Sequence, residues 1–390
     1  MRNQETDFVV SANKAMKLAV IGRGLIGAAA ARHLCKMGHD VALVGPDEPA
    51  DLSRHSGVFG SHYDEGRITR RFDSEPFWRQ MNRAAISRYG EISAESGLEF
   101  YREVGVLHVG PVERSDVASV GRIAAEAGIF CEAYDDAGLA ERFPFLGFTT
   151  GMQGYFEPKN AGYISPRRLV RAQTIAAERA GARIIDEPAL GISESGSGVT
   201  IRTRSGDVEA ERVLVAAGGH SQSLLGQSLG FTVYRRTVAM FRLGAAEAQR
   251  LTGMPSMRCL GPKGENPYIL PPIAYPDGRT WLKLGGDPVD LPLESEADIK
   301  AWFRSGGSIP VADGLEKQIL GRIPGLDFEE RRVVPCMTTY GTTGLPCIGP
   351  LSERVTVAFG CYGKSAKCSD ELGRLGSMAL LGEVRAELAP

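Results

Sequence analysis

Apolar and polar positions over residues 16–45 alternate in blocks that predict a strand, a turn, a helix and a second strand. Lys17-Leu-Ala-Val-Ile21 is a short apolar run, residues 28–37 are helix-prone, and Val41-Ala-Leu-Val44 is apolar again. Two such runs around a helix-length segment define a βαβ unit, whose parallel strands are buried on both faces. Residues 77–97 carry apolar side chains at helical spacing (Phe77, Met81, Ala84, Ala85, Tyr89, Ile92), and Gly105-Val-Leu-His-Val109 follows as a predicted strand.

A second βαβ-like stretch opens at Tyr163-Ile-Ser-Pro166. It has a predicted helix over 168–180, a strand at 183–185 and alternating strands at 198–202 and 208–211. The apolar run Arg212-Val-Leu-Val-Ala-Ala-Gly-Gly219 then stops at paired glycines, as a buried strand does when it delivers its end to a ligand. Residues 231–330 are rich in proline and glycine with short strand-like runs. The chain closes with a strand at 355–359, a glycine turn and a helix over 369–387. Nothing repeats at a fixed period. Purely alternating and mixed blocks succeed one another, which predicts two interleaved domains, neither continuous in sequence.

With 390 residues, 43% of them hydrophobic, the chain can bury a large core in about two or three domains. A net charge of −2 provides no global positive field, which argues against nucleic acid or an anionic membrane as partner. The seven cysteines (Cys35, Cys131, Cys259, Cys336, Cys347, Cys361, Cys368) are scattered and never in C-x-x-C spacing. That pattern speaks against a disulfide framework or a zinc site and fits a reducing cytoplasm. There is no H-x-x-x-H pair, so no metal is expected, and no apolar run approaches the ~20 residues that cross a bilayer. Residues 1–15 lack the apolar core of a signal peptide and are expected to form a flexible extension, with the fold beginning near Met16.

Gly22-Arg23-Gly24-Leu25-Ile26-Gly27 follows the first predicted strand and opens the first helix. In that context Gly22 permits a tight turn, Gly24 lets the backbone approach a pyrophosphate, and Gly27 lets helix pack on strand. Unpaired amides at the helix start, among them those of Leu25 and Ile26, receive phosphate. The acidic residue that ordinarily ends the second strand and binds the adenosine ribose is missing: Val44 is followed by Gly45-Pro46-Asp47. Either Asp47 reaches back, or the ribose contact is lost or carried by water. The motif alone leaves NAD, NADP and FAD open.

Ser61-His62-Tyr63-Asp64-Glu65-Gly66-Arg67-Ile68-Thr69-Arg70 resembles the monomeric sarcosine oxidase and glycine oxidase branch of the D-amino-acid-oxidase-like flavoproteins, which carry Ser-His-His and then R-I-x-R here. The resemblance continues, in order, through Val104–Gly110, Trp281-Leu-Lys-Leu-Gly285, Pro335-Cys-Met-Thr338, Phe359–Gly363 and Lys367, and so spans nearly the whole chain. It implies FAD and an α/β and α+β fold: a Rossmann-type FAD-binding domain interleaved with a mixed-sheet substrate domain. The expected division gives 16–80, 160–230 and 328–390 to the first, and 81–159 and 231–327 to the second.

The same resemblance assigns roles. Cys336 matches the cysteine that forms a thioether to the flavin, a step for which a thiolate is the suitable nucleophile. Arg70 and Lys367 match two cations that clamp the substrate carboxylate, a guanidinium binding it bidentately and an ammonium as a point charge. Lys283 matches a lysine beneath the flavin that assists oxygen reduction, since a fixed cation stabilises superoxide; flanked by leucines, it equally fits the exposed face of a strand. His62 is expected near the isoalloxazine, with Tyr63 in place of the family's next histidine. Ser61, Arg67, Gly218, Gly363 and Lys364 are expected in the cofactor envelope, Lys364 replacing another histidine, and Tyr268 corresponds to an aromatic pocket residue.

The implied reaction moves a hydride equivalent from the carbon next to nitrogen to flavin N5. It leaves an imine that water hydrolyses, and dioxygen becomes hydrogen peroxide. The expected partners are a small amine or amino acid and dioxygen, in a monomer or small homo-oligomer. A flavin dehydrogenase with another acceptor, an NAD-dependent amine dehydrogenase, and a non-catalytic dinucleotide-binding protein are the competing readings. Sarcosine, glycine, longer N-alkyl amino acids, cyclic imino acids and a specialised biosynthetic intermediate all fit as substrate.

Overall fold

A computed structural model describes residues 16–390 except 53, 262–265 and 361. The expected N-terminal extension and Cys361 therefore lie outside the described residues.

The first βαβ pattern folds into a six-stranded sheet. Its order is Cys347–Pro350, Val355–Phe359, Arg212–Val215, Lys17–Ile21, Asp40–Val44 and Arg183–Ile185. All pairings are parallel except that of the edge strand Cys347–Pro350. Successive side chains of a strand point to opposite faces, so each apolar run feeds two cores. Leu18, Val20, Leu43 and Leu214 pack under the helices Leu25–Lys36, Pro166–Arg179 and Ser365–Leu380, while Ala19, Ile21, Val44 and Val213 pack against Val199, Ile201 and Val208 of a three-stranded antiparallel layer.

Nine strands form the second sheet, which is mixed. On one face Leu107, Met257, Ile269, Leu282 and Phe241 pack on Ala312, Leu315 and Ile319 of the helix Ile309–Arg322. The alternate positions, His108, Arg258 and Tyr268 in one cross-strand row and Leu270 beside Lys283, occupy the other face. That face meets the first unit: a Cβ on Gly66 would lie 2.5 Å from Leu270 Cδ1.

Several elements differ from the sequence pattern. The stretch expected to hold only short runs contains the 13-residue strand Phe231–Leu243. It pairs throughout its length with Glu330–Gly341, which places the latter in the larger sheet although 328–390 was expected with the first unit. Arginines at 235, 236, 331 and 332 and Pro335 break the alternation that would have marked these strands. The same stretch holds three described helices, Ala245–Arg250, Glu296–Arg304, opened by a Ser295/Asp298 capping box, and Ile309–Arg322, with Pro310 in its first turn. Residues 77–97 form two helices, Pro76–Ile86 and Tyr89–Ser96, and both bury apolar faces in the parallel-sheet core rather than in the second unit. The last helix starts at Ser365, four residues earlier than the pattern implied, and ends at Leu380.

Candidate active site

A cavity of about 1250 Å³ runs between the carboxyl ends of the parallel strands and the second sheet, reached by Ile21, Val44 and Phe359 from one side and by Thr237, Arg258 and Met337 from the other. Such crevices are where open α/β sheets bind ligands. The glycine turn forms one wall. Gly22 has φ +106°, and a Cβ there would stand 2.4 Å from the Ala216 carbonyl oxygen; one on Gly27 would stand 1.9 Å from the Gly22 oxygen. A Cβ on Gly24 would instead point into the cavity, its nearest neighbour being His62 Nδ1 at 3.9 Å. Gly24 caps the helix Leu25–Lys36 without a side-chain hydrogen bond, so amides and the positive dipole end face the cavity beside Leu25 and Ile26. This cradle fits a pyrophosphate.

The missing ribose acid has a steric cause. A Cβ at Gly45 would lie 2.4 Å from the Arg23 backbone nitrogen, so no side chain fits where the acid ordinarily stands. Asp47 does not replace it: its exposed carboxylate pairs with Arg23 at 3.1 Å and faces a second cavity, outside the lining of the first. The cofactor contact expected of Asp47 is thus corrected to support of the glycine turn.

His62 and Tyr63 both line the cavity, His62 on the side of the glycine turn, where a Cβ on Gly24 would stand 3.9 Å from its Nδ1. Their rings meet edge to face at 4.7 Å, and no hydrogen bond joins either ring to Arg70, Lys283 or Lys367. Burial, reinforced by Arg167, lowers the His62 pKa to about 4, so the imidazole is neutral at pH 7.

Asp64, which the sequence reading passed over, gathers a buried polar knot. Its carboxylate accepts from Lys283, from Arg67 and, at 2.8 Å, from the Tyr275 hydroxyl. Burial opposes its ionisation, but the Lys283 and Arg67 charges prevail and hold the carboxyl well below the usual range. Lys283 is 1% exposed and also donates to the Gly66 carbonyl at 2.9 Å. It is not the exposed residue of an alternating strand: Asp64 pairs it with Arg67 in one buried group. Arg67 does line the cavity and donates to the Ser61 carbonyl at 3.1 Å and to Cys336 Sγ at 3.3 Å. Ser61, Gly218, Cys336, Gly363 and Lys364 all lie on the cavity wall.

A cluster of cations occupies the reacting side. Arg70 is 7% exposed; its Nη2 is 3.6 Å from Asp73 and its Nε has no hydrogen-bond partner. Lys364 Nζ donates to Asp73 at 2.8 Å, and Lys367 Nζ donates to the Lys364 carbonyl at 2.9 Å. The turn before the last helix, with Tyr362 at φ +47° and its amide on the Thr339 carbonyl at 2.9 Å, presents both lysines to the cavity. Burial and then the Arg70 charge lower the Lys367 pKa to about 7. Burial works against ionised Asp73, yet Arg70, Lys367 and Lys364 hold its pKa down to about 2. Glu157 accepts the amides of Arg71 at 2.9 Å and Phe72 at 3.3 Å, which fixes the backbone just after Arg70.

Arg258 also lines this cavity, and nothing in the sequence reading singled it out. Its guanidinium is partly accessible because it faces the cavity, yet it lies deep in the molecule; burial and Arg70 lower its pKa to about 9, still charged at neutral pH. The available signal was its position between Met257 and Cys259, both turned into the opposite core.

Together the fold and site define a dinucleotide-binding enzyme class with an anion-receptive pocket beside the cofactor cradle. The chain belongs to the DAO family of FAD dependent oxidoreductases, whose profile matches residues 17–377. FAD is therefore implied as its cofactor, and the glycine turn and cavity fit it. The mouse peroxisomal sarcosine oxidase is 24% identical over 363 residues, 91% of this chain and 90% of that protein. Among solved structures, NikD, described as an unusual amino acid oxidase essential for nikkomycin biosynthesis, superposes with a TM-score of 0.78 at 20% identity, covering 97% of this chain and 98% of that one. Iminodiacetate oxidase from a Chelativorans species gives 0.70 at 19% identity, covering 96% and 99%. Among the described residues no helix is long and apolar enough to cross a membrane, and no group of metal-binding side chains converges.

Proposed function

We propose that the protein is an FAD-dependent oxidase of the C–N bond in a carboxylate-bearing amine, an amino acid or N-alkyl amino acid. The observation that carries this reading is Arg70, buried, with an unpartnered Nε, beside Lys367 in the cavity that the glycine turn also walls. In this reading the amides at Gly24, Leu25 and Ile26 receive the pyrophosphate, Arg70 and Lys367 receive the substrate carboxylate, and the buried surroundings keep water from the amine. Bound flavin supplies the hydride acceptor and the route to dioxygen. Beside Arg70 the carboxylates of Asp73 and Glu157 are engaged, and the His108 imidazole, though unpartnered, is fully buried and resists protonation, which suits an amine that binds deprotonated.

The test is anaerobic mixing of the FAD-loaded protein with primary, N-methyl and cyclic amino acids. At least one should bleach the flavin, and admitted air should restore it with peroxide; no bleaching by any would sink the reading. Arg70→Ala should raise KM for the active substrate by at least about 30-fold, because the loss leaves a carboxylate unpaired in a buried site. A KM within a factor of two of wild type removes the clamp.

Two finer points belong to this proposal. Cys336 Sγ, which accepts from Arg67 at 3.3 Å on the cavity wall, is the sulfur that a thioether link to flavin would use. If the link forms, acid precipitation leaves the yellow colour in the pellet, and Cys336→Ser releases it to the supernatant. The engagement of Lys283 by Asp64 favours a second reading, in which dioxygen is a slow acceptor and the enzyme is a dehydrogenase. Slow reoxidation in air with fast reoxidation by an artificial quinone would select it.

A further inference from the structure

Among the described residues no carboxylate lies within ion-pair distance of Arg258, and the Asp73 charge reaches it only at longer range. On its strand, Met257 and Cys259 face the far core, and its cross-strand neighbours are Tyr268 and His108. His108 supplies no charge: it is fully buried, neither ring nitrogen has a partner, and burial drives its pKa well below the ordinary value. Among the described residues Arg258 makes no hydrogen bond or ion pair. The carboxylates around it are engaged elsewhere: Asp73 with Arg70 and Lys364, and Glu157 with the Arg71 and Phe72 amides. The other acids on the cavity wall are engaged too, Asp287 by the Thr237 amide, Asp290 by Arg236 and Glu296 by His220.

Among the described residues four cations, Arg70, Arg258, Lys364 and Lys367, thus face the carboxylate of Asp73, while Glu157, which also acts on Arg70, is turned to the Arg71 and Phe72 amides. A buried charge must be paired or hydrogen-bonded, and one substrate carboxylate between Arg70 and Lys367 leaves Arg258 uncompensated. We infer that the substrate is an amine bearing two carboxylates, one held by Arg70 and Lys367 and the second by Arg258. This rests on the carboxylate-clamp reading above and narrows its substrate to dicarboxylic amino acids or N-carboxyalkyl amines. Arg suits the role because its planar fork binds a carboxylate bidentately.

The test separates binding from turnover. Calorimetric titration of the FAD-loaded protein with thiodiacetate and with methylthioacetate compares two anions that differ chiefly in one carboxylate and offer no amine to oxidise. Thiodiacetate should bind at least about tenfold more tightly, as one charge-assisted pair implies. Arg258→Met should collapse that ratio to about one, and Arg258→Lys should restore part of it. Equal affinities in the wild type overturn the inference whatever the variants do. So does an unaltered ratio in Arg258→Met, or equal weakening of both ligands, which marks a structural role. In parallel, turnover of iminodiacetate and sarcosine is compared. Tight thiodiacetate binding with no amine oxidised overturns the oxidase reading and keeps the second anion site. Sarcosine turnover without preference for the dicarboxylate in either assay does the reverse.

Discussion

Lys367 is held near neutrality in the free protein, its pKa lowered to about 7 by burial and by Arg70. A carboxylate ligand favours the ammonium, so binding pulls the proton on. Affinity for a monocarboxylate is therefore expected to be flat below the free-protein pKa and to weaken above it, by up to about tenfold per pH unit. Titrations between about pH 6 and 9 should show this bend in the wild type and not in Lys367→Met, since Arg70 stays charged throughout. A bend that survives the substitution assigns it to another group. At this scale the legible residues were those inside motifs. Arg70, Lys367 and Cys336 sit in strings whose neighbours identify them, whereas Arg258 is a lone basic residue whose meaning comes only from the strands paired beside it. Lys283 was visible as a residue and not as a pair, because its partner Asp64 lies 219 positions away.

Between elements, the helix Leu25–Lys36 is fixed at its solvent-remote side by charge as well as by its small apolar face. Asp370 of the last helix, with a fully buried carboxylate, accepts from His33 at 3.1 Å, Gln173 at 2.9 Å, Arg88 at 2.6 Å and Arg32 at 3.3 Å. It thereby joins the first helix, the helix Pro166–Arg179 and the start of Tyr89–Ser96. Burial works against the ionised form, but these donors outweigh it and hold the carboxyl far below its usual range. A depressed carboxyl contributes stability that is complete above its unfolded pKa of about 3.9 and is lost as pH falls toward the folded value. Asp370→Asn should cost about 1.5–3 kcal/mol at pH 7, measured by urea unfolding, because it removes the charged acceptor of His33 and Gln173 while Arg32 keeps Glu91 and Glu95 and Arg88 keeps Glu371, and it should reduce the loss of stability on acidification. A change under about 1 kcal/mol would show that water or rearranged partners replace the carboxylate. The βαβ units were legible because buried parallel strands are unbroken apolar runs. Phe231–Leu243 and Glu330–Gly341 were not, since each exposes arginines and is held by a partner about a hundred residues distant in sequence.

For the whole molecule, the cavity's walls come from both sheets, so a ligand filling it joins the two cores and its binding energy appears as stability of the entire chain. A reversibly bound cofactor raises stability by RT ln(1 + [L]/Kd), about 4 kcal/mol at a thousandfold excess over Kd, and the melting temperature then climbs with free cofactor. A tethered cofactor contributes instead as part of the chain, with no such dependence. The proximity of Arg67 to the Cys336 sulfur makes the two cases separable by one substitution. With the thioether formed, the melting temperature of the FAD-loaded wild type should be insensitive to added FAD, while that of Cys336→Ser should rise steadily with it over the same range. A wild type whose transition climbs with free FAD argues for a dissociable flavin. In that case the Arg67 contact serves only to place the Cys336 side chain, and the carboxylate pocket stands independently of it, because Arg70, Lys367 and Arg258 do not contact Cys336.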